Sequence, residues 1–189
     1  FEVSEGGPAL TTPSVLSNDA DPESDPLSVI SLGGTAVAIG GTVTLASGAR
    51  VTLNADGSLG YDPNGAFDGL ATGASATDVF AYTIADSAGG TDEGQVSITV
   101  TGVNDAPTLA AGALTSDEDV ALASLDIRAL ADDVDSDDDA ATLTYAVTGG
   151  GDPSLTLEAE SGRLLFRPDG GFEDLSFGSY PFIKDGAYG

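Results

Sequence analysis

One segment of this chain is repeated, and the repeat constrains the fold more than any other sequence feature. Residues 57–70 (GSLGYDPNGAFDGL) align without gaps on residues 162–175 (GRLLFRPDGGFEDL), with Gly, Leu, Pro, Gly, Phe and Leu at matching positions. Matches at one fixed offset indicate an internal duplication. The 189 residues are enough for two domains of ordinary size. The chain is therefore predicted to contain two copies of one structural unit.

The residue pattern of the first copy is that of short β-strands, without a convincing helix. Runs rich in Val, Thr, Ile and Leu are separated by Gly, Asn and Asp, which favour hairpin turns. Residues 80–84 and 95–101 alternate apolar with small or polar side chains on either side of a Gly-rich turn, which predicts a long terminal hairpin. This spacing favours an antiparallel sandwich. The aromatic residues at alternating positions are predicted to be core residues: Tyr61, Phe67, Phe80, Tyr82, Phe166 and Phe172.

The charge balance excludes several classes of partner. The chain has 31 Asp and Glu against 5 Lys and Arg, a net charge of -26, and 41% hydrophobic residues. It can therefore bury a core, but it offers no basic surface for nucleic acid or anionic lipid. It has no Cys, His, Met or Trp, which removes disulfides, thiolate metal sites and Ser-His catalysis. No apolar run is long enough to predict membrane insertion.

Two acidic segments carry carboxylates on alternate residues. They are residues 18–25 (NDADPESD) and residues 132–139 (DDVDSDDD), and each precedes a β-patterned run. A general solubility or halophilic surface would spread its charge, whereas these carboxylates cluster in a few loops. Ca²⁺ takes six to eight oxygen ligands and tolerates irregular geometry. We therefore expect calcium loops, with these side chains as ligands: Asn18, Asp19, Asp21, Glu23, Asp25, Asp133, Asp135, Asp137 and Asp139.

Neither segment has the spacing of an EF-hand, which needs Gly at position 6 and Glu at position 12. Counted from Asp21, these positions hold Pro26 and Leu32. Counted from Asp133, they hold an aspartate and a threonine. The ligands of each ion must then come from separate segments of the chain.

Short motifs in the first copy resemble a known family. They are residues 3–6 (VSEG), 15–22 (VLSNDADP), 82–86 (YTIAD) and 103–107 (VNDAP). Together they resemble the cadherin-like (VCBS-type) tandem repeats of bacterial secreted adhesins and RTX-type surface proteins. The resemblance implies an all-β chain of tandem Ig-like, cadherin-like antiparallel sandwiches, with calcium bound at and between domains.

Further candidate ligands follow from this resemblance. Glu5 occupies the family's acidic position on the first strand, and Asp117, Glu118 and Asp119 offer its counterpart in the second copy, of which Asp119 is the candidate ligand. Asp86 ends its strand and corresponds to Asp185. The linker motif adds two more candidates, Asn104 and Asp105.

The expected organisation is a complete repeat over residues 1–103, a calcium-binding linker over 104–107, and a second repeat over 108–189 that lacks its last strand. Either downstream sequence or another chain would supply that strand. The expected function is a calcium-binding module of an adhesin on the bacterial surface or secreted, stiffened by Ca²⁺ for adhesion to cells or matrix, as in a biofilm. Its expected partners are the neighbouring repeats of the same protein, with surface glycans or matrix as further candidates. The alternatives are a calcium-dependent carbohydrate-binding module and a strand-exchanging filament subunit.

Enzymatic activity is not expected. Residues 86–88 (DSA) only faintly resemble a protease Asp-Ser/Thr-Gly turn, and glycosidase carboxylates need a cleft lined with sugar-stacking aromatics. The remaining aspartates sit in turn sequences and are expected to form ordinary β-turns: Asp56, Asp62, Asp68 and Asp169.

Overall fold

The computed structural model describes residues 1–114, 122–139, 141–147, 155–158, 161–166 and 182–183. The chain divides into two compact units, Phe1–Asn104 and Asp105–Gly189. The described residues are all-β, with two short 3-10 turns at Val15–Asn18 and Arg128–Leu130 and no α-helix among them. The predicted fold class is confirmed.

The first unit is built from two sheets. One sheet has five strands in the order β1-β9-β8-β3-β4, and the other has four in the order β2-β7-β6-β5. The strands are β1 (Glu2–Ser4), β2 (Leu10–Thr11), β3 (Ser28–Leu32), β4 (Thr35–Ala36), β5 (Thr42–Thr44), β6 (Arg50–Leu53), β7 (Leu59–Asp62), β8 (Ser75–Ala85) and β9 (Thr91–Thr101).

All pairs in these two sheets are antiparallel except one. β1 runs parallel to β9, with Glu2 opposite Thr99 and Ser4 opposite Thr101. The first and last strands of the unit therefore lie side by side and point in the same direction.

The core of the first unit lies between the two sheets. Alternate residues of β8 and β9 face inward, and Ile98 and Val100 are completely buried. The other sheet contributes Val51, Leu59 and Tyr61, which are also completely buried. The period-2 pattern of the sequence thus places one face of each sheet in the core.

A carboxylate lies within this core. Asp78 is 8% exposed, and its Oδ2 accepts hydrogen bonds from Ser47 Oγ at 2.7 Å and Tyr61 Oη at 2.8 Å. The Tyr61 ring stacks on Phe80, with centroids 6.5 Å apart. Burial, followed by the hydrogen bond to Asp78, raises the pKa of Tyr61. These contacts satisfy polar groups that would otherwise be costly to bury.

Turn chemistry closes the hairpins. Gly33 and Gly34 join β3 to β4 with φ values of 54° and 75°, as a type I′ turn requires. In the turn before β7, Asp56 Oδ1 accepts hydrogen bonds from Ser58 Oγ and N–H, and these bonds lower the pKa of Asp56. Asp62 Oδ1 likewise accepts the Asn64 N–H at 2.9 Å. The predicted turn role of Asp56 and Asp62 matches these contacts.

The described strands of the second unit repeat part of this pattern. They are β10 (Thr108–Leu109), β11 (Ala123–Asp126), β12 (Ala131–Asp132), β13 (Ala146–Val147), β14 (Leu155–Glu158), β15 (Arg163–Phe166) and β16 (Phe182–Ile183). β15 lies between β11 and β14, as β7 lies between β2 and β6. Leu164 and Phe166 are buried, as are their sequence counterparts Leu59 and Tyr61. The duplicated segment therefore forms the same central strand twice.

Candidate metal centre

The second acidic segment brings three carboxylates together. Asp133, Asp135 and Asp138 each offer an oxygen, and these oxygens lie within 4.8 Å of one another. The loop bends because the Asp138 N–H donates to the Asp135 carbonyl at 3.2 Å. The Asp135 N–H also donates to Asp133 Oδ1 at 3.1 Å. The chain thus holds three like charges at close range.

Asp135 is the most deeply placed of the three. It is 3% exposed, and its Oδ2 accepts the Asp105 N–H at 2.8 Å. Its Oδ1 is buried and has no hydrogen-bond partner among the described residues. A buried carboxylate oxygen without a partner is costly unless a ligand satisfies it.

These residues fit a hard divalent cation. Ca²⁺ binds carboxylate oxygens at about 2.3–2.6 Å, so oxygens on opposite sides of an ion lie about 5 Å apart. The oxygens of Asp133, Asp135 and Asp138 fall within that limit. A cation here would also relieve the repulsion between these three carboxylates.

The geometry brings together two of the expected residues of this loop, Asp133 and Asp135, with Asp138, which the alternating pattern did not include. Asp137 and Asp139 are exposed and do not belong to the cluster, whereas Asp138 does. Asp139 Oδ1 instead accepts hydrogen bonds from the Ala141 and Thr142 N–H groups, at 2.7 and 3.0 Å. Alternate side chains share one face only where a segment is extended, whereas the turn at Asp135 brings together side chains three residues apart.

The first acidic segment lines a cleft of about 540 Å³ in the first unit. The turn between β8 and β9 forms its opposite wall, and Leu27 and Ile84 add apolar surface. The polar side chains that line it include Asn18, Asp19, Asp21, Asp86 and Asp92. The structure therefore places Asp86 beside the acidic segment. Sequence reasoning missed Asp92, which the hairpin register sets opposite Ile84.

The carboxylates of the first cleft already organise their own loops. Asp21 Oδ1 accepts the N–H groups of Glu23 and Asp25, each at 2.9 Å. Asp86 Oδ1 accepts those of Ala88 and Gly90, each at 2.8 Å. Each pair of bonds satisfies backbone donors within a turn and leaves the second carboxylate oxygen to face other groups.

Two further candidates of this segment do not line the cleft. Asp25 Oδ1 accepts a hydrogen bond from Ser87 Oγ at 3.1 Å, which joins the acidic segment to the turn between β8 and β9. Glu23 is exposed on the surface.

Tyr82 connects the cleft to the core of the first unit. Its ring is 5% exposed, and its hydroxyl donates to Asp19 Oδ2 at 3.2 Å, with the Val15 carbonyl 3.4 Å away. Burial, followed by the charge of Asp19, raises the pKa of Tyr82.

Glu5 lies away from the cleft, beside the end of β9. It is 5% exposed, its N–H donates to the Thr101 carbonyl, and its Oε1 accepts the Val103 N–H at 2.7 Å. Its Oε2 is buried without a hydrogen-bond partner among the described residues. Glu5 therefore has the same feature as Asp135, a buried carboxylate oxygen without a hydrogen-bond partner among the described residues.

The remaining candidate ligands are Asn104 and Asp105, and residues that lie outside the described ranges. Asn104 is exposed, and Asp105 is half-buried and bonded through its N–H to Asp135. Several positions lie outside the described residues: Asp117, Glu118, Asp119, Asp169, Phe172 and Asp185.

Comparison with family models assigns both halves of the chain. The model of the bacterial cadherin-like domain matches residues 1–102, and that of the bacterial Ig domain matches residues 104–187. No curated protein matches the chain. Because the first match covers more than half of the sequence, the chain belongs to the bacterial cadherin-like family.

The two families indicate the class of protein to which the chain belongs. Tandem cadherin-like and Ig-like domains form extracellular, adhesin-type repeat modules and are structural domains, typical of surface proteins. None of the helical turns in the described part of the chain has the length and apolar character needed to cross a membrane.

Proposed function

We propose that this chain is a calcium-binding module of a bacterial adhesin, in which Ca²⁺ stabilises the acidic loops and stiffens the tandem repeats for attachment to cells or matrix. Cadherin-like domains generally bind calcium, and this chain has carboxylates placed to do so. The neighbouring repeats of the same protein would be the first partners of the module.

The observation that carries the proposal is the cluster of Asp133, Asp135 and Asp138, together with the burial of Asp135. Three carboxylates within 4.8 Å of one another destabilise a fold that gains nothing from them. One of them, Asp135, is 3% exposed, and its Oδ1 lacks a partner among the described residues. A bound Ca²⁺ would replace the repulsion between these carboxylates with attraction to the ion, and so stabilise the folded state.

The backbone of the segment that follows the first unit is tied to the same carboxylate. The Asp105 N–H donates to Asp135 Oδ2 at 2.8 Å, so an ion that fixes Asp135 also fixes residue 105. This supports a role for calcium in ordering the junction around residues 104–107. The sites in the first unit would be Glu5 and the cleft lined by Asp19, Asp21 and Asp86.

The energetic expectation follows from mass action. Extracellular calcium modules bind with dissociation constants of about 10⁻⁴ to 10⁻³ M. At a hundredfold excess of ion, one site adds about 2.7 kcal/mol to the free energy of unfolding. For a domain of this size, each kcal/mol raises the melting temperature by about 4–8 °C.

The test compares thermal melts in Ca²⁺ and in EGTA for the whole chain and for two variants. Asp135→Asn removes the buried ligand charge, while Asp137→Asn makes the same charge change at an exposed position of the same loop. We expect calcium to raise the melting temperature of the unmodified chain and of Asp137→Asn, with a smaller rise for Asp135→Asn. An unmodified chain with the same melting temperature in both buffers would overturn the calcium proposal.

The stiffening is tested separately by small-angle X-ray scattering. The proposal expects a longer and less flexible particle in Ca²⁺ than in EGTA. If calcium raises the melting temperature but leaves the scattering profile unchanged, the ions stabilise the domains and do not stiffen the junction.

A further inference from the structure

One segment of this acidic chain carries no charge at all. Residues 26–49, between Asp25 and Arg50, contain no Asp, Glu, Lys or Arg. The chain as a whole has a net charge of -26. A long neutral stretch in such a sequence marks a surface that differs from the rest of the molecule.

The fold places this segment along one side of the first unit. β4 is the outermost strand of the five-stranded sheet, and β5 is the outermost strand of the four-stranded sheet. Only residues 37–41 join them, so both strands border the same side of the sandwich. We call this side, formed by residues 30–44, the neutral edge.

The neutral edge exposes apolar side chains. Ile39 is 69% exposed and Ile30 is 40% exposed. The Val37 N–H donates to the Ile30 carbonyl at 3.0 Å, which holds the two segments together. Ala36, Ala38, Thr42 and Thr44 are also exposed, so the surface between them is uncharged.

The opposite side of the sandwich is protected against strand pairing, as natural sheet edges usually are. Its edge strand β1 carries the exposed Glu2, and Pro8 and Pro13 flank the edge strand β2. Charges and prolines discourage another strand from pairing. The neutral edge has no charged residue and no proline. Only the shortness of β4 and β5 limits pairing with another strand there.

We propose that the neutral edge is a self-association surface, on which a second copy of this chain docks edge to edge. Two copies with a charge of -26 repel each other over most of their surfaces, but not along residues 30–44. A two-fold arrangement would place each Ile39 near the partner copy and pair the outer backbone groups of β4 or β5.

The contact is expected to be weak for an isolated chain. β4 and β5 have two and three residues, so pairing along either strand adds only a few backbone hydrogen bonds between the copies. Weak contacts become effective when many modules are held close together, because tethering raises their effective concentration. The proposal is independent of the calcium sites, which lie on other segments.

The test is sedimentation velocity of the full chain over a wide concentration range in calcium buffer. We expect the weight-average sedimentation coefficient of the unmodified chain to rise with concentration. Ile39→Asp and Thr44→Glu each place a negative charge on the neutral edge and should abolish the rise. Val79→Asp is the matched control, because Val79 is 53% exposed on β8, outside the neutral edge.

Melting curves of the three variants establish that each is folded, and two edge variants are used so that one misfolded protein does not decide the result. The proposal is overturned if the unmodified chain stays monomeric at every concentration. It is also overturned if the folded edge variants still associate, or if Val79→Asp abolishes the rise as well.

Discussion

The Tyr82 hydroxyl donates to Asp19 Oδ2 at 3.2 Å from a ring that is 5% exposed. This bond joins the buried face of the five-stranded sheet to the wall of the acidic cleft. A change in the position or charge of Asp19 therefore alters the hydrogen bonding of Tyr82, a core side chain. The Tyr82 hydroxyl couples the first acidic segment to the core.

Replacing that hydroxyl measures the coupling. Tyr82→Phe keeps the ring but removes the hydrogen bond to Asp19, and we expect a loss of about 1–2 kcal/mol in the free energy of unfolding. Asp19→Ala removes the other partner. In a double-mutant cycle from urea denaturation, the two changes should be non-additive by about 0.5–1.5 kcal/mol. Additive effects would mean that the bond contributes nothing measurable.

The two buried tyrosines predict an alkaline limit to stability. The pKa values of Tyr61 and Tyr82 are raised above the ordinary value of 10.0, in both cases chiefly by burial. The folded state therefore holds these protons more tightly than the unfolded state. Their contribution to the free energy of unfolding is complete below pH 10. It is lost as the pH rises above 10 through the pKa values of the folded state.

Melting temperatures measured as a function of pH check this expectation. The unmodified chain should lose stability above pH 10, and Tyr82→Phe should lose less over the same range. Near-ultraviolet absorbance should show that part of the tyrosine titrates only as the protein unfolds. A full tyrosine titration at the ordinary pKa in folded protein would contradict it.

The buried carboxylate of Asp78 gives a third prediction. Asp78→Ala leaves Tyr61 Oη and Ser47 Oγ without their acceptor, and we expect a cost of about 2–4 kcal/mol. Asp78→Asn keeps an acceptor oxygen and should cost less. Chemical denaturation ranks the two variants, and an alanine variant as stable as the asparagine variant would show that the two hydroxyls find other partners.

Two strand glycines differ in what a methyl group would meet. A Cβ at Gly94 would overlap the ring of Tyr82, whereas a Cβ at Gly60 would make an ordinary contact of 3.8 Å with Thr52 Cβ. Gly94→Ala should therefore destabilise the first unit by about 1–3 kcal/mol, as overpacking does, and Gly60→Ala should cost less. Thermal melts of both variants provide the comparison.

Much of the fold was predictable because it depends on local chemistry. The run at Arg50–Leu53 and the glycine-bearing turn that follows it form the hairpin that the residue pattern indicates. The long hairpin of β8 and β9 also follows from alternation around a Gly-rich turn. The parallel pairing of β1 with β9 was not predictable, because no local pattern links residues 2–4 to residues 99–101.

The sequence indicated which type of residue forms the candidate site, but it was less informative about which individual residues do so. Clustered carboxylates identified the two acidic segments, and the position of Asp86 placed it near the first of them. Alternation favoured Asp137, but the bend of the loop puts Asp138 in the cluster instead. Loop conformation depends on backbone hydrogen bonds, such as that from Asp138 to Asp135, which the sequence does not display.

The parallel pair of β1 and β9 has a mechanical consequence. Phe1 and Glu5 extend this pairing through hydrogen bonds to Thr99 and Thr101. A force that pulls residue 1 and residue 102 apart acts in opposite directions along two adjacent strands. The bonds between these strands are then loaded in shear and must rupture together instead of unzipping singly. Under tension along the chain, the first unit resists through its two terminal strands before its core is exposed.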